Sequence, residues 1–122
     1  MSASILAVDD SASIRVAIKI ALSGAGYAVA EAVNGADGVE KAKAGSYDLI
    51  VTDLNMPVMD GLTMIEELRR SPDHMGVPII FLTTESDAAL KQRAKAAGAT
   101  GWLTKPFDPE QLVKIIKKVL GR

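Results

Sequence analysis

Asp9, Asp10, Asp53, Thr83 and Lys105 each stand at the end of a hydrophobic run. Ile5-Leu6-Ala7-Val8 leads into Asp9-Asp10, and Leu49-Ile50-Val51-Thr52 leads into Asp53. Ile79-Ile80-Phe81-Leu82 ends at Thr83, and Trp102-Leu103-Thr104 ends at Lys105. If these runs are parallel strands, their carboxyl ends share the sheet edge where ligands of open α/β sheets bind. Three carboxylates within roughly 5 Å repel by on the order of 3 kcal/mol per pair at an effective dielectric of ~20. Protonation or a cation relieves that repulsion. Lys105 supplies one positive charge, too few for three negatives. A hard divalent ion such as Mg²⁺ (or Mn²⁺) suits carboxylate and carbonyl oxygens.

Asp53 is the candidate nucleophile, because an ionised carboxylate can form an acyl phosphate without a general base. Phosphoryl transfer otherwise needs positioning and charge neutralisation, which a metal, a cation and a hydroxyl donor provide. Thr83 and Lys105 fit the last two roles. Each residue also has a plainer reading when taken singly. Asp9-Asp10 could cap the first helix with Ser11, Thr83 could bond buried backbone, and Lys105 could be a solvated loop lysine.

The elements that must position these residues are legible in the patterning. Ile14, Ala17, Ile18, Ala21, Leu22 and Ala25 follow the i, i+3, i+4, i+7 spacing of an amphipathic helix. Gly24 and Gly26 end that helix before a strand around Ala28–Ala32. Asn34-Gly35 opens a helix through about Ala44, closed by Gly45. A loop, Leu54 to Gly61, precedes a helix from about Leu62 to Arg70, which Ser71-Pro72-Asp73 breaks. The alanine-rich helix at about Asp87–Ala97 has Leu90 as its only large aliphatic, so its hold on the sheet should be weak. After a strand around Gly101–Thr104, Asp108-Pro109 is a good helix start. Leu112, Ile115, Ile116, Val119 and Leu120 would then face inward, and Lys114, Lys117 and Lys118 outward.

Five strands alternating with five helices predict an α/β, doubly wound (βα)5 domain. The sheet is parallel, with right-handed crossovers and helices on both faces. The 122 residues form one domain, 1–122, with 48% hydrophobic and 24% charged residues. A net charge of −1 gives no general attraction to nucleic acid or anionic membrane. Absence of cysteine excludes disulfides, thiolate metal sites and cysteine nucleophiles. No apolar run reaches the roughly 20 residues of a membrane span, and the N-terminus lacks a charged leader region, so a cytoplasmic location is expected. No Walker A loop exists, and Gly24-Ala25-Gly26 is not a dinucleotide fingerprint. His74, the only histidine, reads as a surface residue.

Together, Val8-Asp9-Asp10, Asp53-Leu54-Asn55-Met56-Pro57-Val58-Met59-Asp60-Gly61, Thr83 and Lys105-Pro106-Phe107 resemble the receiver domain of two-component response regulators. The resemblance spans the whole chain and is strongest to the single-domain chemotaxis type. It implies the flavodoxin-like strand order 2-1-3-4-5 and Asp53 as acceptor of phosphoryl from a sensor histidine kinase. It further implies Mg²⁺ on Asp10, Asp53 and the Asn55 carbonyl, with Asp9 acting through water. Lys105 would pair with a phosphoryl oxygen. Thr83 would move to the phosphoryl group, and the aromatic Trp102 would repack inward. The family usually has a cis Lys-Pro peptide at the position of Lys105-Pro106.

Two departures stand out: Trp102 occupies a position commonly Tyr or Phe, and Thr84 one often Ala. Asn55, Thr84 and Glu85 are expected to tune phosphoryl lifetime. Expected partners are the kinase and a flagellar motor switch protein or phosphatase, and the expected state is a monomer. The alternatives are a phosphate sink or relay carrier, and an aspartyl-phosphate hydrolase. The hydrolase is disfavoured because such enzymes usually carry a second Asp where this chain has Asn55.

Overall fold

The computed structural model describes residues 3–72 and 76–121. His74, expected at the surface, lies outside the described residues, as do Asp73 and the first two residues of the chain. The strands are β1 (Ser4–Val8), β2 (Ala28–Ala32), β3 (Leu49–Thr52), β4 (Ile79–Thr83) and β5 (Gly101–Thr104). Alternating with them are α1 (Ala12–Gly24), α2 (Gly35–Ala44), α3 (Gly61–Arg70), α4 (Ala88–Ala96) and α5 (Pro109–Leu120). All four strand pairings are parallel, and the order across the sheet is β2-β1-β3-β4-β5. Fold class and strand order are those expected.

Alternation along the strands splits the core into two layers. Leu6, Val8, Ile50, Ile79 and Phe81 point to the face covered by α2, α3 and α4, where they meet Met64, Ile65, Leu68 and Ala94. Ile5, Ala7, Leu49, Val51, Ile80 and Leu82 point to the other face, against Ile18, Leu22, Leu112 and Ile116 of α1 and α5. The central strands are buried on both faces, as their β-branched runs require. The edge strands β2 and β5 remain half-exposed because each has only one neighbour. On α4 only Ala94 is fully buried, which agrees with its narrow apolar stripe.

Every helix starts at a side-chain cap just past the functional edge. Ser11, Asn34, Asp60, Asp87 and Asp108 each accept from an amide two or three residues on. Such caps satisfy donors that the helix leaves unpaired, and each is worth about 1 kcal/mol. The caps stop each helix short of the strand end, leaving a loop in which a functional side chain can stand.

Candidate phosphoryl and metal site

The acidic residues are placed by main-chain bonds before any side chain is considered. Asp9 N–H donates to the Ala32 carbonyl (3.1 Å), and Asp53 N–H donates to the Val8 carbonyl (2.9 Å). These two bonds continue the sheet one residue past β1 and β3, so both carboxylates leave the edge side by side. Asp10 follows Asp9 and is exposed. Asp9, Asp10 and Asp53 each bring a carboxylate oxygen within 4.8 Å of the other two. Each pair at that range repels by about 3 kcal/mol at an effective dielectric of ~20. The expected clustering is present, and a donor set of hard carboxylate oxygens fits a small divalent cation.

Lys105 joins them from the end of β5. Its main-chain N–H donates to the Thr83 carbonyl (2.8 Å). Its ammonium donates to Asp9 Oδ2 (2.8 Å) and to Asp53 Oδ2 (3.1 Å). The remaining oxygens are also held: Ser11 N–H donates to Asp9 Oδ1 (2.9 Å), and Leu54 N–H to Asp53 Oδ1 (2.7 Å). Asp9 thus helps to shape the start of α1 while belonging to the acidic cluster, so its capping and cluster readings hold together. The Lys105–Pro106 peptide is cis.

Burial pushes the Asp9 carboxyl above the usual aspartate range. The Lys105 hydrogen bond, the Ser11 amide and the Lys105 charge oppose that rise without cancelling it, and the Asp53 charge adds to it. Burial acts to lower Lys105, but hydrogen bonds and charge from Asp9 and Asp53 outweigh it, and its ammonium titrates above the usual lysine range.

The other side of the cleft is built by the loop after β4. Thr83 is fully buried, and its hydroxyl oxygen accepts from Glu85 N–H (3.4 Å), leaving the hydroxyl proton free to donate. Asn55 Nδ2 donates to Glu85 Oε1 (3.0 Å), tying the loop after β3 to the loop after β4. Trp102 Nε1–H donates to the Glu85 carbonyl (3.1 Å). The indole centroid lies 5.6 Å from that of Phe81, and the Lys91 ammonium lies 5.8 Å from it. Thr84, next to Thr83 in the chain, is exposed. Three of the residues expected to tune or read the site, Asn55, Glu85 and Trp102, therefore form one bonded chain.

Gly61 explains why the loop can return so close to Asp53. A Cβ at Gly61 would lie 2.2 Å from the Asp53 carbonyl oxygen and 2.8 Å from Phe81. Sequence reasoning missed Arg15 and Glu31, which sit beneath the acidic pair. Their only signal was opposite charge, on α1 and β2, with 15 residues between them.

The response regulator receiver domain model matches residues 5–117. The chain is 39% identical over 119 residues to chemotaxis protein CheY1 of Helicobacter pylori, covering 96% of each. A crystal structure of Vibrio cholerae chemotaxis protein CheY4 superposes with a TM-score of 0.93 at 44% identity, covering 98% of this chain and 99% of that one. The receiver domain of sensor histidine kinase PA1611 from Pseudomonas aeruginosa, with magnesium coordinated in its active-site cleft, superposes with a TM-score of 0.91 at 30% identity. That match covers 100% of both chains. Other curated relatives are longer transcriptional regulators, of which the chain spans about half, 58% of one and 48% of another. An α/β sheet with an acid trio and a lysine at its carboxyl edge is thus the frame of a phospho-signalling module. The chain belongs to the response regulator receiver domain family of two-component systems.

Among the described residues, no helix is long and apolar enough to cross a membrane.

Proposed function

We propose that this receiver domain takes a phosphoryl group from a histidine kinase onto Asp53 and switches a partner-binding surface, in chemotaxis signalling. The observation that carries the proposal is the Lys105 ammonium held between Asp9 and Asp53 beside an acid trio within 4.8 Å. A carboxylate oxygen of Asp53 attacks phosphorus as the bond from phosphorus to the donor imidazole nitrogen breaks. The electron pair leaves with the imidazole, and Asp53 becomes an acyl phosphate. Lys105 balances charge on a phosphoryl oxygen, and the Thr83 hydroxyl donates to another. Asp10, Asp53 and the Asn55 main-chain carbonyl, with Asp9 beside them, would hold Mg²⁺, which would supply charge neutralisation for the transferred group.

The Glu85 carbonyl, bonded to Trp102, lies two residues beyond Thr83, so movement of Thr83 would be felt at the indole. Asn55, Thr84 and Glu85 border the path of attacking water and set the phosphoryl lifetime. The near full-length match to chemotaxis proteins supports a motor-switch protein as target, and a phosphatase as a second partner. A phosphate sink or relay carrier uses the same site without that target. A peptide from a motor switch protein that binds phosphorylated but not unphosphorylated protein supports the first role; equal or absent binding supports the second.

The chemistry itself is tested with a small phosphodonor, Mg²⁺ and intact-mass measurement. Wild type gains one acid-stable, base-labile phosphoryl group, and Asp53→Asn gains none. Modification of the variant, or modification that does not depend on the metal, would overturn the mechanism.

A further inference from the structure

Arg15 lies one turn into α1, with its side chain only 14% exposed, and its guanidinium reaches the Asp9-Asp10 peptide. Nη1 donates to the Asp9 main-chain carbonyl at 2.6 Å. Nε donates to Glu31 Oε1 at 3.1 Å, so β2 fixes the direction in which the fork points. Glu31 is held in turn through its own carbonyl, which accepts from Lys41 Nζ at 2.5 Å. The Asp9 carbonyl lies beyond the last β1 pairings, at Val8 with Ala32 and Thr52, so the sheet ladder does not hold it. Among the described contacts, Arg15 is the group that does.

The Asp9 carbonyl belongs to the peptide that leads directly into Asp10. Rotation of that plane turns the Asp10 backbone, and with it the direction of an exposed carboxylate. Asp9 has Lys105 and the Ser11 amide to hold its side chain. Among the described contacts, the support nearest to Asp10 is this peptide plane.

We infer that Arg15, oriented by Glu31, is a positioning residue for the divalent-cation site, aiming the Asp10 carboxylate by clamping the Asp9 carbonyl. The inference rests on the metal reading proposed above. It makes a prediction of unusual sign. As a nearby positive charge alone, Arg15 repels a divalent cation, and its removal would tighten binding. As a clamp, its removal weakens binding, because groups that orient metal ligands typically control affinity by 10- to 100-fold.

The test is calorimetric titration of unphosphorylated protein with Mg²⁺ alone, for wild type, Arg15→Gln, Arg15→Lys and Lys19→Gln. Lys19 is the charge control: it lies on the same helix, 4.0 Å from Glu31, with no bond to Asp9 among the described contacts. Arg15→Gln should weaken Mg²⁺ binding by on the order of tenfold, while Lys19→Gln leaves it unchanged or slightly tighter. Arg15→Lys keeps the charge but loses the two-pronged fork, so it should fall between Arg15→Gln and wild type. Phosphorylation of Arg15→Gln should be slow at low Mg²⁺ and recover at saturating Mg²⁺, which a general loss of structure would not allow. Arg15→Gln binding as tightly as wild type, or tighter, overturns the inference. Should that variant fail to fold, unchanged affinity in Arg15→Lys overturns it equally. Wild type that binds no Mg²⁺ removes the metal reading itself; wild-type binding with unmoved Arg15 variants removes only the clamp.

Discussion

Lys105 is the only cation bonded to the carboxylates of the acid trio among the described residues, and it makes the cluster tolerable before any metal arrives. Replacing it with Ala leaves Asp9, almost fully buried, facing Asp53 with backbone amides but no cation to balance the two charges. Breaking a buried charge pair by removing one member typically costs about 3–5 kcal/mol. The Lys105 side chain retains 12% exposure, so the loss should fall at or below the lower end of that range. Lys105→Ala should therefore unfold at lower denaturant without Mg²⁺ and recover part of that loss with it. Equal midpoints with and without Mg²⁺ would contradict this account.

The pH dependence follows from the same pairing. The folded ammonium titrates above the ordinary lysine value of about 10.4. Its contribution is fully present below that value and is lost as pH rises through the higher folded pKa. Wild-type stability should thus fall in alkali more steeply than that of Lys105→Met, measured by urea midpoints across the alkaline range. Asp9 adds an opposite trend at the acid end. Its raised pKa means that the folded chain takes up a proton before the unfolded one does, so protonating this group relieves strain rather than causing it.

At the scale of elements, the loop between β3 and α3 decides how Asp53 is presented. Gly61 N–H donates to the Leu54 carbonyl (2.8 Å) while its α-carbon packs against the Asp53 carbonyl. Gly61→Ala pushes a methyl group into backbone that cannot yield, and overpacking of this kind costs about 1–3 kcal/mol. A lowered thermal midpoint together with slower phosphorylation is expected; an unchanged midpoint would show that the loop can shift.

The strands, the Asp108 cap of α5 and the five strand-end residues were legible because each rests on local chemistry: apolar runs, an Asp-Pro helix start and turn residues; the Asn34, Asp60 and Asp87 caps emerged only with the fold. The Asn55–Glu85–Trp102 chain was only half legible. Its members were visible as positions, but their bonding depends on two loops meeting across 30 residues of chain. Arg15 was not legible, because a single arginine on a helix is usually solvated, and only folding brings Glu31 beside it.

Across the whole molecule, parallel strands put all of the chemistry at one edge and leave the other edge to plain turns. Gly45 and Ser46, both exposed, connect α2 to β3 at that far edge. Tyr47, Asp48 and the four residues of β3 separate them from Asp53, the strand alone spanning about 13 Å. Inserting a short Gly-Ser segment between them should leave phosphorylation of Asp53 within about twofold of wild type, since lengthening a surface loop costs little entropy. Intact-mass time courses check this, and loss of acceptor activity with the fold retained would show that the two edges communicate.

The sheet also divides the interior into two layers whose side chains never meet across it. A duplicated copy of such a gene could repack α1 and α5 while α2, α3 and α4 keep their ancestral neighbours, or the reverse. Asp9 and Asp53, set by main-chain bonds within the sheet, stay in register through either history. Two halves that can diverge separately around one fixed edge give descent a simple way to rewire the molecule's correspondents without rebuilding its chemistry.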